Sequence, residues 1–350
     1  MPQNDLAQSF SAASDLPRLC RELKGAHIFI TGGTGFFGCW FLEAIHWLNT
    51  QQSLGIEATI LTRDAEAFLV KRPHLKSRLQ GIRFVSGDVR TLPSGLGAGF
   101  THVIHAATPA SAKLANDNPL EMFDIITSGT RNVLDFALKS GARRFLLTSS
   151  GAVYGKQPHN LSHFEEEYQG APDPCDFRSA YGEGKRVAEH MCTLMTKGQP
   201  LDPIIARCFA FVGPYLPLDI HFAIGNFVRD ALAGTPIRIQ GDGSPLRSYL
   251  YGSDLMVWLF TLLARGQRGR PYNVGSERAV SIGELAHLVS QVLSPIVGKS
   301  IAVEILKKPN PALGTERYVP STKRAKTELG LRESVALEEA IKRTAIWYRQ

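Results

Sequence analysis

Ala26-His-Ile-Phe-Ile-Thr-Gly-Gly-Thr-Gly-Phe-Phe-Gly38 runs from a short β-rich segment into a glycine turn, and an apolar-periodic stretch from Cys39 to Leu48 follows it as a helix. Gly32, Gly35 and Gly38 recur at intervals of three. Glycine lets the backbone turn sharply and approach a pyrophosphate closely, and the amino terminus of the next helix offers free N–H groups. Placed after a first strand, this turn predicts a dinucleotide site, with Phe36 and Phe37 joining the three glycines as cofactor contacts.

Working outward, strands are expected at 58–62, 82–85, 102–105, 145–148 and 204–207, with helices from Pro119 to Ser140, ended by Gly141, and from about Ser179 to Met195. Strands alternating with helices require a parallel sheet, because each crossover needs a helix to bring the chain back. The fold class is therefore α/β: a Rossmann-type doubly wound parallel sheet whose ligands collect at the carboxyl ends of its strands. Beyond Gly213-Pro214 the alternation gives way to glycine and proline turns, which reads as a smaller C-terminal substrate-binding lobe. The expected division is a polar N-terminal extension over 1–24, the dinucleotide-binding domain over 25–207, and a lobe over 208–350 with some segments returning to the sheet.

The chain has 350 residues and a net charge of +7, with 44% hydrophobic and 20% charged residues. Disorder, collagen-like repeats and a disulfide-stapled miniprotein do not fit that balance. The basic excess is dispersed, which suits attraction for small anions better than a nucleic-acid surface. Five cysteines form no CxxC pair and have no histidine at zinc-ligand spacing, so a metal site is not expected. The first residues lack the basic start and apolar run of a signal peptide, and no segment has the apolar length of a membrane span, so the expected location is the cytoplasm.

The second strand ends at Thr62-Arg63-Asp64. An acid at this edge favours NAD by binding the ribose hydroxyls, whereas the planar fork of Arg63 suits the 2′-phosphate of NADP; both cofactors stay open. Tyr181 and Lys185 stand four apart and so share a helix face. An ammonium beside a phenol favours the phenolate and is expected to lower the tyrosine pKa. Upstream, Thr148-Ser149-Ser150 closes the fifth strand, where a hydroxyl can hold a substrate oxygen.

Glycine turn, serine run and Tyr181-Gly-Glu-Gly-Lys185, in this order, resemble the extended short-chain dehydrogenase/reductase family, the nucleotide-sugar epimerases and dehydratases. The resemblance runs from about Ala26 to Leu331 and includes Gly87-Asp88-Val89, His105-Ala106-Ala107, Gly129-Thr130 and Val153-Tyr-Gly155. It implies that Ser150 and Tyr181 hold the sugar hydroxyl, Tyr181 acts as general base or acid, and Lys185 grips the nicotinamide ribose. Asp88, Val89, Ala106 and Ala107 would line the cofactor, and Ser111, Ser150, Asn226 and Arg247 the nucleotide-diphosphate sugar. Arg247 would take the pyrophosphate, unless it forms a salt bridge with Asp242 or Asp254. The resemblance also implies a homodimer through the helices at 119–140 and 179–195.

In wording the chain is most similar to the UDP-glucuronate decarboxylase branch, through Pro109-Ala-Ser111, Asn118-Pro119, Arg178 and Glu183-Gly-Lys-Arg-Val-Ala-Glu189. It departs where Gly151 and Ala152 replace acids that family members working at C5 and C6 carry, and where Ile126 and Ala210 replace asparagines. A 4-epimerase needs only Ser150, Tyr181, Lys185 and a retained cofactor. Decarboxylase, 4,6-dehydratase and 4-ketoreductase are the alternatives. A non-catalytic scaffold would have no need of an activated phenol.

Overall fold

In the computed structural model, which describes residues 1–13, 15–108, 112–220, 222–308 and 314–350, two helices precede the first strand: α1 (Pro2–Ala12) and α2 (Leu16–Leu23). The chain continues through β1 (His27–Thr31), α3 (Phe36–Gln52), β2 (Glu57–Thr62), α4 (Ala65–Lys71), β3 (Ile82–Ser86), β4 (His102–His105), α5 (Ala112–Asp117), α6 (Pro119–Ser140), β5 (Arg144–Ser150), α7 (Ala180–Met195) and β6 (Asp202–Cys208). Alternating strands and helices of this kind cover both faces of the sheet, so β1, β4 and β5 are buried almost throughout. Asn118 caps α6 through Glu121 N–H, and Gly141, at φ 81°, ends it in the left-handed region that glycine tolerates.

The second half holds β7 (Phe211–Val212), α8 (Ala223–Leu232), β8 (Ile237–Ile239), β9 (Leu246–Arg247), β10 (Leu250–Tyr251), α9 (Gly252–Arg265), β11 (Pro271–Val274), β12 (Val280–Ser281), α10 (Ile282–Val297), β13 (Val303–Ile305), β14 (Arg317–Tyr318), α11 (Lys323–Leu329) and α12 (Leu337–Tyr348). Seven parallel strands form the main sheet in the order β11-β6-β5-β4-β1-β2-β3. The doubly wound parallel sheet is the one expected. The strand order reverses between β1 and β4, which opens a crevice above their carboxyl ends. β11 returns from the second half to pair with β6, while β8, β9, β12, β13 and β14 make two small sheets outside the main one.

Helices α3 and α9 belong to one core with the N-terminal helices, and α6 and α7 cover the opposite face. α9 is buried along nearly its whole length. Leu120 on α6 and Leu194 on α7 remain exposed. Residues 1–24 are more than a polar lead-in. Leu6, Phe10, Leu19 and Leu23 are fully buried, the Phe10 and Trp47 rings stack at 4.8 Å, and Asp5 accepts a hydrogen bond from Tyr251 at 2.7 Å and pairs with Arg343 at 2.9 Å. Four apolar residues spaced four apart within two short helices are enough to cover α3 and α9 although their surroundings are polar. No helix among the described residues is long and apolar enough to cross a membrane.

Two histidines of β4 make the fold acid-sensitive. Burial, aided by Arg144, pulls His102 down to about 4, and burial, aided by Lys185, pulls His105 down to about 3. Each folded-state value lies below the ordinary 6.5. As pH falls from 6.5, the unfolded chain therefore takes up protons that the folded chain refuses, and stability drops by up to about 1.4 kcal/mol per pH unit per histidine. Urea melts at pH 6.5 and 4.5 should show a loss smaller by roughly 2 kcal/mol in His102→Gln than in wild type; equal losses would remove His102 from this account.

Candidate active site

The glycine turn fits a dinucleotide, and the reason is steric. Gly32 has φ 76°, and a β-carbon there would stand 2.5 Å from the Ala106 carbonyl, so only glycine lets the turn lie against the end of β4. A β-carbon on Gly38 would stand 2.0 Å from the Gly33 carbonyl carbon, and one on Gly33 2.2 Å from Ile60. Gly33 is thus a third packing glycine that the three-residue spacing did not single out. Gly35 differs: its nearest neighbour would be the Gly32 oxygen at 4.0 Å. It is also the N-cap of α3 and has no side chain to satisfy the first N–H groups. A helix amino terminus left open in this way is suited to a pyrophosphate.

Around this turn the strand ends are tied together by hydrogen bonds. Thr31 Oγ1 meets His105 Nδ1 at 2.8 Å and accepts from Ala107 N at 3.2 Å, while His105 Nε2 meets Thr130 Oγ1 at 3.2 Å. Ala106 and Ala107 are thereby fixed beside Gly32. The Asp88 carboxylate is gripped by Arg90 at 2.8 to 3.1 Å, which holds it below the usual carboxylate range, and Asn132 clamps the Val89 carbonyl at 3.1 Å. Phe37 packs edge-on against Phe211 and tilts toward Phe36. Arg63 is exposed just past β2, and Asp64 caps α4.

The expected trio comes together. Ser150 is the last residue of β5, Tyr181 lies in the first turn of α7, and Lys185 lies one turn on. Lys185 Nζ donates to the Thr148 carbonyl and to Thr108 Oγ1, both at 2.7 Å. Its burial lowers the ammonium to about 8. Lys185 Nζ stands 6.0 Å from the Tyr181 ring centre. The expected lowering of the tyrosine pKa does not appear in the protein alone: burial pushes Tyr181 up, and its hydrogen bond to Ser150 opposes this only in part. Desolvation of the phenolate outweighs the neighbouring hydroxyl.

Tyr318 belongs to the same cluster. Its hydroxyl is 3.4 Å from Ser150 Oγ, and its ring packs on Phe209 at 4.6 Å. A β-carbon on Gly151 would stand 2.6 Å from Phe209 and 2.8 Å from the Tyr318 hydroxyl, so these two aromatics occupy the space that a side chain at 151 would need. Beneath, Ser149 donates to Glu189 at 2.5 Å, Glu189 pairs with Arg207 at 2.7 Å, and Arg207 reaches the Tyr154 hydroxyl at 3.0 Å. Both carboxylate oxygens of Glu189 are thus engaged.

The remaining candidates lie in the second half. Asn226 on α8 accepts from Arg229 at 3.3 Å and lines a cavity of about 530 Å³ with Phe227, Arg238, Gln240 and Asp242. Arg247 pairs with neither Asp242 nor Asp254. It meets Glu316 at 2.5 Å, because β9 and β14 run side by side with Arg247 opposite Tyr318. Asp254 instead accepts from Ser334 and Val335. Ser111 lies outside the described residues. Sequence reasoning missed Tyr318 and Thr108, which the fold brings to Ser150 and Lys185 from distant parts of the chain.

Comparison with known proteins agrees with this fold. Residues 28–275 match the model of the NAD dependent epimerase/dehydratase family. UDP-glucuronic acid decarboxylase 1 of Arabidopsis thaliana is 32% identical over 93% of this chain and 70% of its own length. Among solved structures, UDP-glucuronic acid 4-epimerase from Bacillus cereus, in complex with UDP-glucuronic acid and NAD, superposes with a TM-score of 0.75 at 22% identity, covering 93% of this chain and 99% of that one. UDP-glucose 4-epimerase from Thermotoga maritima gives 0.74 at 21% identity over 92% and 98%. With its glycine turn, doubly wound sheet and trio at the end of β5, the chain belongs to the NAD-dependent epimerase/dehydratase family, whose members are nucleotide-sugar enzymes.

Proposed function

We propose that the protein reversibly oxidises C4 of a nucleotide-diphosphate sugar and acts as a 4-epimerase. The observation that carries this reading is the closure of position 151 by Phe209 and Tyr318, beside Ser150, Tyr181 and Lys185. Elimination across C5 and C6 wants an acid and a base beyond the trio. Position 151 has no room for a carboxylate, and Glu189 is committed to Ser149 and Arg207.

In this mechanism Ser150 holds the C4 oxygen and Tyr181 accepts its proton. The bound nicotinamide supplies a hydride acceptor and a positive charge. Lys185 steadies the Tyr181 phenolate electrostatically and, through its ties to Thr148 and Thr108, sits at a fixed height above β5. The dinucleotide would be held by Gly32, Gly35 and Gly38, by Phe36 and Phe37, and by the backbone of Asp88, Val89, Ala106 and Ala107. Inversion would then need the ketone to turn its other face, so that the hydride taken from C4 would return to C4 from the opposite side while Tyr181 gives the proton back to the C4 oxygen. Asn226 and Arg247 would bind the diphosphate, with Arg247 exchanging Glu316 for phosphate oxygens.

A second reading, UDP-glucuronate decarboxylation, is favoured by the curated relatives of about 30% identity that bear that name. It shares the first step. Once C4 is a ketone, a uronic acid is a β-keto acid and loses carbon dioxide without a dedicated protein acid.

Incubation with UDP-glucose, UDP-N-acetylglucosamine, UDP-glucuronate and a 4-keto-6-deoxy sugar nucleotide, followed by NMR, should give C4 inversion at constant mass. Loss of carbon dioxide would transfer the assignment to the decarboxylase, and loss of water or net consumption of reduced cofactor to a dehydratase or reductase. Tyr181→Phe should keep the fold and cofactor binding but slow turnover by roughly a hundred- to ten-thousand-fold; near-wild-type rates would mean another base. Gly151→Asp should cost about 1–3 kcal/mol in chemical denaturation, because its β-carbon overpacks Phe209 and Tyr318. An unchanged midpoint would reopen position 151 to acid chemistry.

A further inference from the structure

NAD and NADP differ only in a phosphate on the adenosine 2′ oxygen, so the choice between them depends on what stands at the end of β2. That strand end adjoins the glycine turn: Ile60 lies against Gly33, and Thr62 Oγ1 donates to Thr34 Oγ1 at 3.4 Å. A site for unphosphorylated ribose keeps a carboxylate there to accept from the 2′-hydroxyl, whereas an arginine accommodates a 2′-phosphate. Here the strand ends on Thr62, which is neutral and buried.

Two of the three neighbouring acids are already engaged. Asp64 Oδ1 accepts from Ala67 N at 2.8 Å as the N-cap of α4, so turning it toward a ribose would uncap the helix. Asp88, beyond the adjoining strand β3, is held by Arg90 through both carboxylate oxygens. Glu66 is exposed in the first turn of α4. Arg63 is exposed and has no hydrogen bond or ion pair among the described residues, although its positive charge helps hold Asp88 ionised. A committed carboxylate on either side of an uncommitted guanidinium is a poor acceptor site for a ribose hydroxyl and a good one for a phosphate dianion.

We propose that this family member binds NADP(H) in preference to NAD(H), with Arg63 as the residue that recognises the 2′-phosphate. The inference concerns the cofactor alone and does not depend on which sugar reaction the protein performs. An internal redox cycle at C4 proceeds with either dinucleotide.

The test is calorimetric titration of nucleotide-free protein with NADP⁺ and NAD⁺, and with the fragments 2′-phospho-ADP-ribose and ADP-ribose, which isolate the phosphate from the nicotinamide. Wild type should bind the phosphorylated member of each pair at least about tenfold more tightly, the gain of one charge-assisted contact. Arg63→Ala should erase that difference and leave ADP-ribose affinity within about twofold, while Arg63→Lys keeps part of it. Thermal melting of each variant should match wild type, because the side chain is exposed. Equal or tighter binding of the unphosphorylated members by wild type would overturn the preference. A preference that survives in Arg63→Ala, or a loss that falls equally on both members of each pair, would overturn the role of Arg63.

Discussion

The approach of the Gly32 backbone to Ala106, closer than any β-carbon permits, holds the first two functional strands at their working distance. With β1 and β4 adjacent and their connections leaving in opposite directions, the crevice above them is a consequence of topology. Thr31 and His105 convert that adjacency into a fixed height, since the imidazole bonds to both Thr31 and Thr130. The neutrality of His105 is necessary here, because an imidazolium would place a second charge close to the Lys185 ammonium.

The candidate site then grows from three directions. β5 brings Ser150, α7 brings Tyr181 and Lys185 one turn apart, and β14 brings Tyr318 from a small sheet outside the main one. The last of these links the proposed diphosphate arginine to the candidate serine, since Tyr318 is opposite Arg247 in register and within reach of Ser150.

Local patterns were legible because they are short in sequence. The strands at 58–62, 102–105 and 204–207, the end of α6 at Gly141, and the shared face of Tyr181 and Lys185 all follow from periodicity and turn chemistry within a few residues. Tyr318 was not legible, since it reaches Ser150 across 168 residues and its strand is two residues long. The environment of Tyr181 escaped for a different reason. Spacing gives the direction of a lysine, but the extent of desolvation depends on the whole surrounding core. Residues 1–24 looked polar on average, yet a few well-spaced apolar side chains sufficed to bind them to α3 and α9.

That N-terminal layer bears on the order in which the molecule assembles. Asp5 finds Tyr251 and Arg343 only across 246 and 338 residues, and Ser9 finds Ser253 across 244. At roughly 5–20 residues per second, tens of seconds of synthesis separate α1 from the helix it covers. During that interval Leu6, Phe10 and the outer face of α3 have no partner from α9, so α1 reaches its final packing only once α9 has been made. Closure of this part of the core therefore waits for the C-terminal half, as does the pairing of β11 with β6.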